Sequence, residues 1–187
     1  MIKLETNRLI LQDGVIKLPW EDGFLDLYKT LLDEFYDENY SEEMFKREVL
    51  FNYGLSVSEL GNYFAVFNII YKEDNSFIGW CKFLPRYFSS NETWIINTQG
   101  DRAKWPGTVN VEINWNILKK YQNMGFAKEA AHAIIEYAFN KLQFSKVIAI
   151  TDINNAPSMK IMESLDMHVK IAPNSSLAYG VAYNSKY

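Results

Sequence analysis

What this chain has little of narrows it first. Cys81 is the only cysteine in 187 residues, so no intramolecular disulfide can form, and a reducing compartment suits the chain. Histidine occurs twice, at His132 and His168; two so far apart, with one cysteine, make no metal-ligand pattern, and no metal is expected. No apolar run is long enough to span a bilayer, and the opening MIKLETNRLIL holds no run of signal-peptide length. The expectation is a cytoplasmic, soluble chain with no membrane partner. Net charge is −4, which argues against nucleic acid. Internal repeats, low-complexity tracts and linkers are also missing. With 48% apolar residues, residues 1–187 suffice for a single domain with one core.

The charge is unevenly spread. Residues 20–50 hold ten acidic side chains against three basic, whereas residues 100–187 hold seven acidic against ten basic. Acidic residues that simply solvate surface helices account for this, as does an acidic half that draws in a cationic acceptor while a basic half holds an anionic donor.

The rest of the chain is read around residues 109–127, VNVEINWNILKKYQNMGFA. Val109, Val111, Ile113 and Trp115 alternate with polar residues, the period of a strand. A polar turn over 119–123 leads to Gly125, and residues 127–142 then carry Ala127, Ala130, Ala131, Ile134, Ala138 and Leu142 at helical spacing. A strand that delivers a glycine-containing turn to a helix start presents unpaired N–H groups and the positive end of the helix dipole. That is an anion site, suited to phosphate or pyrophosphate. It lacks the Gly-Lys-Ser/Thr ending of a P-loop and the three glycines of a dinucleotide fingerprint.

In chain order, residues 5–12 read as a first strand, residues 21–36 as a helix, and Ser41 as the cap of a second helix. Residues 63–72 and 77–84 form a hairpin across the turn at 73–76. Residues 86–107, with Trp94 and Trp105, suit a surface excursion, a lid over an acceptor pocket or a dimer patch. Residues 146–151 are a buried strand. Asn155 caps a helix with Pro157 in its first turn, Asp166 ends that helix, and 168–171 and 178–183 are closing strands. This order gives an α+β fold with a mixed, mostly antiparallel sheet flanked by helices.

Gln122-Asn123-Met124-Gly125-Phe126-Ala127 resembles the acetyl-CoA signature of the GNAT N-acetyltransferase superfamily, Gln/Arg-x-x-Gly-x-Gly/Ala. Residues 155–167, NAPSMKIMESLDM, are similar to a second family motif, N-x-x-S-x-x-x-x-E-x-L-G-F, with Asp166 where glycine is usual. The opening ETNRLIL resembles the E-T-x-R-L-x-L of the ribosomal-protein N-terminal acetyltransferase (Rim-type) branch. The resemblance covers nearly the whole chain and implies the GNAT fold and an acetyl-CoA-dependent N-acetyltransferase. The acetyl group would go to a primary amine, a protein N-terminus or a small amine, by direct attack.

On that resemblance the amides of Met124, Gly125, Phe126 and Ala127 bind the coenzyme diphosphate with Gln122, Asn123 and Lys128, and Lys119 and Lys120 lie nearby. The central strand splays from its neighbour over 114–117, where Asn116 and Ile117 pair with pantetheine and an N–H near Ile117 faces the thioester oxygen. Glu112 is the candidate base and Ser158 the candidate acid toward the thiolate; each can equally be structural, as a strand-face carboxylate and a helix-start serine. Asn155 caps its helix and touches pantetheine. Cys81, inside an apolar strand, is a core residue and not a nucleophile. A homodimer is compatible with the surface aromatics, and the alternative function is a non-catalytic acyl-CoA sensor or assembly module.

Overall fold

The computed structural model of this chain describes residues 2–13, 43, 44, 47, 65–87 and 109–186. Among them are eight strands: β1 (Lys3–Glu5), β2 (Leu9–Asp13), β3 (Ala65–Tyr71), β4 (Ser76–Tyr87), β5 (Val109–Ile117), β6 (Lys146–Asp152), β7 (His168–Ile171) and β8 (Leu177–Tyr183). The helices are α1 (Phe126–Glu136) and α2 (Ala156–Ser164), with a 3-10 turn over Lys119–Tyr121 and a π turn over Tyr137–Lys141. Glu43, Met44 and Arg47 are helical, and Arg47 pairs with Glu43 at 2.6 Å. Otherwise the expected helices before residue 52 and the excursion beyond Tyr87 lie outside the described residues.

Two compact units divide the chain, one of residues 1–81 and 116–126, the other of residues 82–115 and 127–187. In the first, the strands run in the order β1-β2-β3-β4. The single strand expected over 5–12 is instead a hairpin, β1 antiparallel to β2. Thr6 is the reason: its hydroxyl accepts the Leu9 N–H at 2.9 Å while its own N–H donates to the Leu9 carbonyl at 3.0 Å, so side chain and backbone together close a turn. Leu9 and Leu11 then point to the core, alternating with half-buried Ile10 and Gln12. Leu11 pairs with the fully buried Ile69 of β3 and Leu9 with Tyr71. Between β3 and β4, Asn75 takes a left-handed φ of 58°, and Ser76 donates its N–H to Asp74 Oδ1 at 3.0 Å. That bond holds the Asp74 carboxyl below its ordinary pKa. Gly79 lies so near the end of β5 that a Cβ would stand 2.0 Å from the Asn116 carbonyl oxygen; only glycine fits there.

The second unit has the strand order β4-β5-β6-β8-β7. β5 and β6 are parallel, and such a pair needs a crossover long enough to reverse direction twice, which α1 supplies. β8 returns antiparallel between β6 and β7. On α1 the expected stripe is the buried one: Ala130, Ala131, Ile134 and Ala138 are inaccessible, while Lys128, His132 and Glu136 face solvent. The helix does not stay α to Leu142. From Tyr137 it widens to π, with the Leu142 N–H donating to the Tyr137 carbonyl at 3.2 Å. Buried Asn184 explains the change, since its amide donates to the Phe139 and Phe144 carbonyls at 3.2 and 3.1 Å and draws that end of the helix toward β8. Helix α2 packs through the fully buried Met162 onto Gly180 of β8; a Cβ there would stand 2.9 Å from the Met162 sulfur.

Four of the five recorded strand pairings are antiparallel, so the fold is α+β with a mixed, mostly antiparallel sheet, as the element order predicts. No helix among the described residues is long and apolar enough to cross a membrane.

Candidate functional site

In the second unit β5 and β6 pair at only three positions, Val111↔Val147, Glu112↔Ile148 and Ile113↔Ala149. Both strands continue beyond the last of these pairs, through Asn114 and Trp115 on one side and through Ile150, Thr151 and Asp152 on the other. β6 meanwhile stays paired with β8 as far as Asp152↔Leu177. The two parallel strands therefore part after Ile113, as the resemblance implies. The β4 side of β5 is irregular at the same level: the Lys82 N–H donates to the Asn114 side-chain oxygen at 3.2 Å, a strand donor taken by a side chain.

In the first unit the last residues of β5 lead into the turn. Successive strand residues aim their backbone groups at opposite edges. The Leu118 N–H donates to the Ile78 carbonyl at 2.9 Å and the Asn116 carbonyl faces Gly79, so both point toward β4. The N–H and carbonyl of Ile117 point the other way. On that edge the Ile117 carbonyl accepts a hydrogen bond from Gln122 Nε2 at 2.8 Å, and the Gln122 N–H closes the 3-10 turn on the Lys119 carbonyl at 3.1 Å. Gln122 thus ties the turn to the strand end.

Asn123 and Gly125 are left-handed, with φ of 60° and 81°, and α1 begins at Phe126. Left-handed residues interleaved with ordinary ones curl successive N–H groups to one side, and a helix start adds its own unpaired donors. The N–H groups of Asn123, Met124 and Gly125 find no acceptor among the described residues, and all three residues are exposed. The corner is a nest of donors with the positive end of α1 behind it, which suits an anion.

One residue of this corner escapes sequence reasoning. Arg8, in the bend just before β2, donates from Nη1 to the Met124 carbonyl at 2.9 Å. Its guanidinium carbon lies 4.3 Å from the centroid of the Phe126 ring. Phe126 is in turn fixed by Tyr71 and Tyr121, at centroid distances of 5.0 and 6.4 Å. Arg8 stands in the ETNRL opening, but nothing in spacing ties residue 8 to residue 124. Lys119, Lys120 and Lys128 are exposed, and the Lys120 ammonium sits 4.6 Å from the Tyr121 ring.

The other candidates belong to the second unit. Glu112 is half-buried on the face of β5 opposite the inaccessible Val111 and Ile113, beside Ile148. Ala127 and Lys128 are in the first turn of α1. Asn155 caps α2 as expected, its Oδ1 accepting the Ser158 N–H at 3.2 Å, with Pro157 in the first turn. An Asx turn leads into that cap: Asp152 Oδ1 accepts the Asn154 N–H at 2.8 Å, a bond that lowers the Asp152 pKa. The Ser158 side chain is half-buried, and its hydroxyl bonds to no described residue. So Asn116, Ile117, Gln122, Asn123, Met124, Gly125 and Phe126 share one corner of one unit; Glu112, Ala127, Lys128, Asn155 and Ser158 lie on β5, α1 and α2 of the other.

Cys81 is fully buried, and burial pushes its thiol pKa far up, so it carries no nucleophilic role. His132 is exposed on α1 and the His168 ring lies 5.7 Å from that of Tyr183. Among the described residues no three His, Cys, Asp or Glu side chains cluster as a metal site.

With this geometry in place, comparison with known proteins adds the following. The model of a family described as acetyltransferase (GNAT) domain matches residues 26–168. Uncharacterized N-acetyltransferase YnaD of Bacillus subtilis strain 168 is 39% identical over 64 residues, 34% of this chain and 38% of the relative. The chain thus matches well under two thirds of that relative's length. Among solved structures, a GNAT-family acetyltransferase from Bacillus anthracis superposes with a TM-score of 0.64 at 18% identity, covering 98% of this chain and 99% of its own. A ribosomal L7/L12 α-N-protein acetyltransferase, solved in complex with coenzyme A, superposes at 0.66 with 12% identity, covering 97% and 98%. At such identities these structures speak for the fold alone.

Proposed function

The chain belongs to the GNAT acetyltransferase family, and on that premise we propose that it is an acetyl-CoA-dependent N-acetyltransferase acting on a primary amine by direct attack. The acceptor is a protein N-terminus or a small amine; the Rim-like opening ETNRLIL favours the former. One observation carries the reading: a nest of N–H groups at Asn123, Met124 and Gly125, with no acceptor among the described residues, follows one short turn after a strand whose pairing with its parallel neighbour ends at Ile113. The nest and the start of α1 take the diphosphate, with Phe126, Ala127 and Lys128 contributing first-turn groups. Gln122 holds the nest against the strand end.

The edge of β5 freed by the parting takes the pantetheine arm as a pseudo-strand along Asn116 and Ile117, with Asn155 at its amide. The Ile117 N–H, aimed away from β4, receives the thioester oxygen as it becomes an oxyanion. A preorganised donor of this kind is worth roughly 3–4 kcal/mol of transition-state stabilisation. The amine nitrogen attacks the thioester carbon and the carbon–sulfur bond breaks. Glu112 takes one proton from the ammonium acceptor, through water, before the attack; Ser158 delivers its proton to the departing thiolate and is reprotonated by the second proton that the nitrogen loses as the amide forms.

The test is a free-thiol assay with acetyl-CoA across peptides and small amines. Glu112→Gln should lower kcat about 100-fold, within the usual range for a positioned base, while the Kd for CoA in calorimetry stays unchanged. Thermal stabilisation by acetyl-CoA with no thiol released to any amine would replace this reading with that of a non-catalytic acyl-CoA module.

A further inference from the structure

We propose that Arg8 is the positioning residue of the diphosphate site: it holds the Met124–Gly125 peptide in the orientation that aims the Gly125 N–H at the anion. The inference rests on the reading of this turn as the coenzyme's diphosphate site. A trans peptide is a rigid plane whose C=O and N–H point in opposite directions. Arg8 Nη1 fixes the Met124 carbonyl at 2.9 Å, so the amide across the same plane faces away from Arg8.

Without such a hold the turn has an alternative. Rotation of one peptide plane interconverts turn types at little cost where glycine follows, and here Gly125 follows. The rotated plane would present the Met124 carbonyl, a negative group, to the phosphates. Arg8 opposes that rotation with a charged donor, and its charge also polarises the carbonyl, which strengthens the N–H on the far side.

The guanidinium is itself held in place. It stands 4.3 Å over the Phe126 ring, and Phe126 is braced by Tyr71 and Tyr121. Arg8 Nη2 reaches to 3.4 Å from where a Cβ of Gly125 would stand, so the guanidinium lies directly beside the turn it braces. The hydrogen bond joins residues 116 apart in sequence, so the nest takes its binding geometry only once β2 is folded beside it.

The deciding experiment measures CoA affinity by calorimetry and the Gly125 amide resonance by NMR in wild type, Arg8→Gln and Arg8→Lys, with circular dichroism as the folding control. Arg8→Gln should bind CoA 10- to 100-fold more weakly and lose the shift of the Gly125 resonance that CoA causes in wild type. Arg8→Lys should fall between, about 3- to 10-fold weaker than wild type, because an ammonium keeps the charge but not the planar fork that stacks and donates together. Arg8→Lys also decides the matter if Arg8→Gln fails to fold: affinity equal to wild type would overturn the proposal. So would an Arg8→Gln protein that binds CoA within twofold of wild type, or whose Gly125 amide still responds normally. A wild type indifferent to CoA overturns the functional reading itself, and this inference with it.

Discussion

At the scale of single residues, two left-handed positions in one turn carry unequal burdens. Asn123 adopts φ 60° with a side chain that tolerates it, whereas Gly125, at φ 81°, has both the conformational need and a guanidinium close by. Gly125→Ala meets left-handed strain of about 1–2 kcal/mol. The turn relaxes by turning its donors aside, so CoA affinity should fall about 10-fold, a loss of that same 1–2 kcal/mol, as read by calorimetry. Gly125 was legible in the sequence because only glycine serves such a turn between a strand and a helix. Arg8 was not, because its role depends on a carbonyl far along the chain, and sequence periodicity says nothing about which distant backbone group a surface arginine will meet. Asn114 is a similar case: a polar residue in an alternating strand reads as outward-facing, yet its side chain takes a strand donor from Lys82.

At the scale of elements, the end of α2 shows how a family glycine can be replaced. The Met167 N–H donates to the Met162 carbonyl and the Asp166 N–H to the Glu163 carbonyl, both at 3.1 Å, and Asp166 is left-handed at φ 56°. This is a complete Schellman closure built on aspartate. Asp166→Gly removes the left-handed penalty at some cost in unfolded-chain entropy, for a net gain of about 0.5–1 kcal/mol. Thermal unfolding should move up by roughly 1–4 °C for a chain of this size, and a fall would mean that the Asp166 side chain holds something besides its own turn. Helix starts were readable here because caps are local chemistry: Asn155 and Pro157 announce α2 within three residues. The hairpin at Thr6 and the π turn at Tyr137 were not. The former lies in Glu5-Thr6-Asn7-Arg8, which holds no glycine or proline to announce a turn, and the latter answers to Asn184, which lies beyond β8. The parting of β5 from β6 leaves no mark in the alternation of either strand; only resemblance to a family pointed to it.

For the molecule as a whole, acid is the simplest probe. Three described carboxylates are held below their ordinary pKa: Glu5 by hydrogen bonds from Lys3 and Lys72, Asp74 by the Ser76 N–H, and Asp152 by the Asn154 N–H. A depressed folded-state pKa contributes stability that is present above the unfolded value and lost as pH falls. The ordinary values are 4.5 for Glu5 and 3.8 for Asp74 and Asp152, so the melting temperature should hold steady from neutrality to about pH 5 and decline below it. A profile flat to pH 3 would show that these contacts contribute nothing. The parted strands have a further consequence. An ordinary sheet has two rims, and proteins blunt them with lysine, proline or a covering loop, because a bare rim invites a stranger's strand. Among the described residues β5 and β6 do not pair with each other beyond Ile113 and Ala149, which leaves two short rims inside the sheet. If CoA lies along them as proposed, saturation with it should lower aggregation in concentrated solution, as read by light scattering.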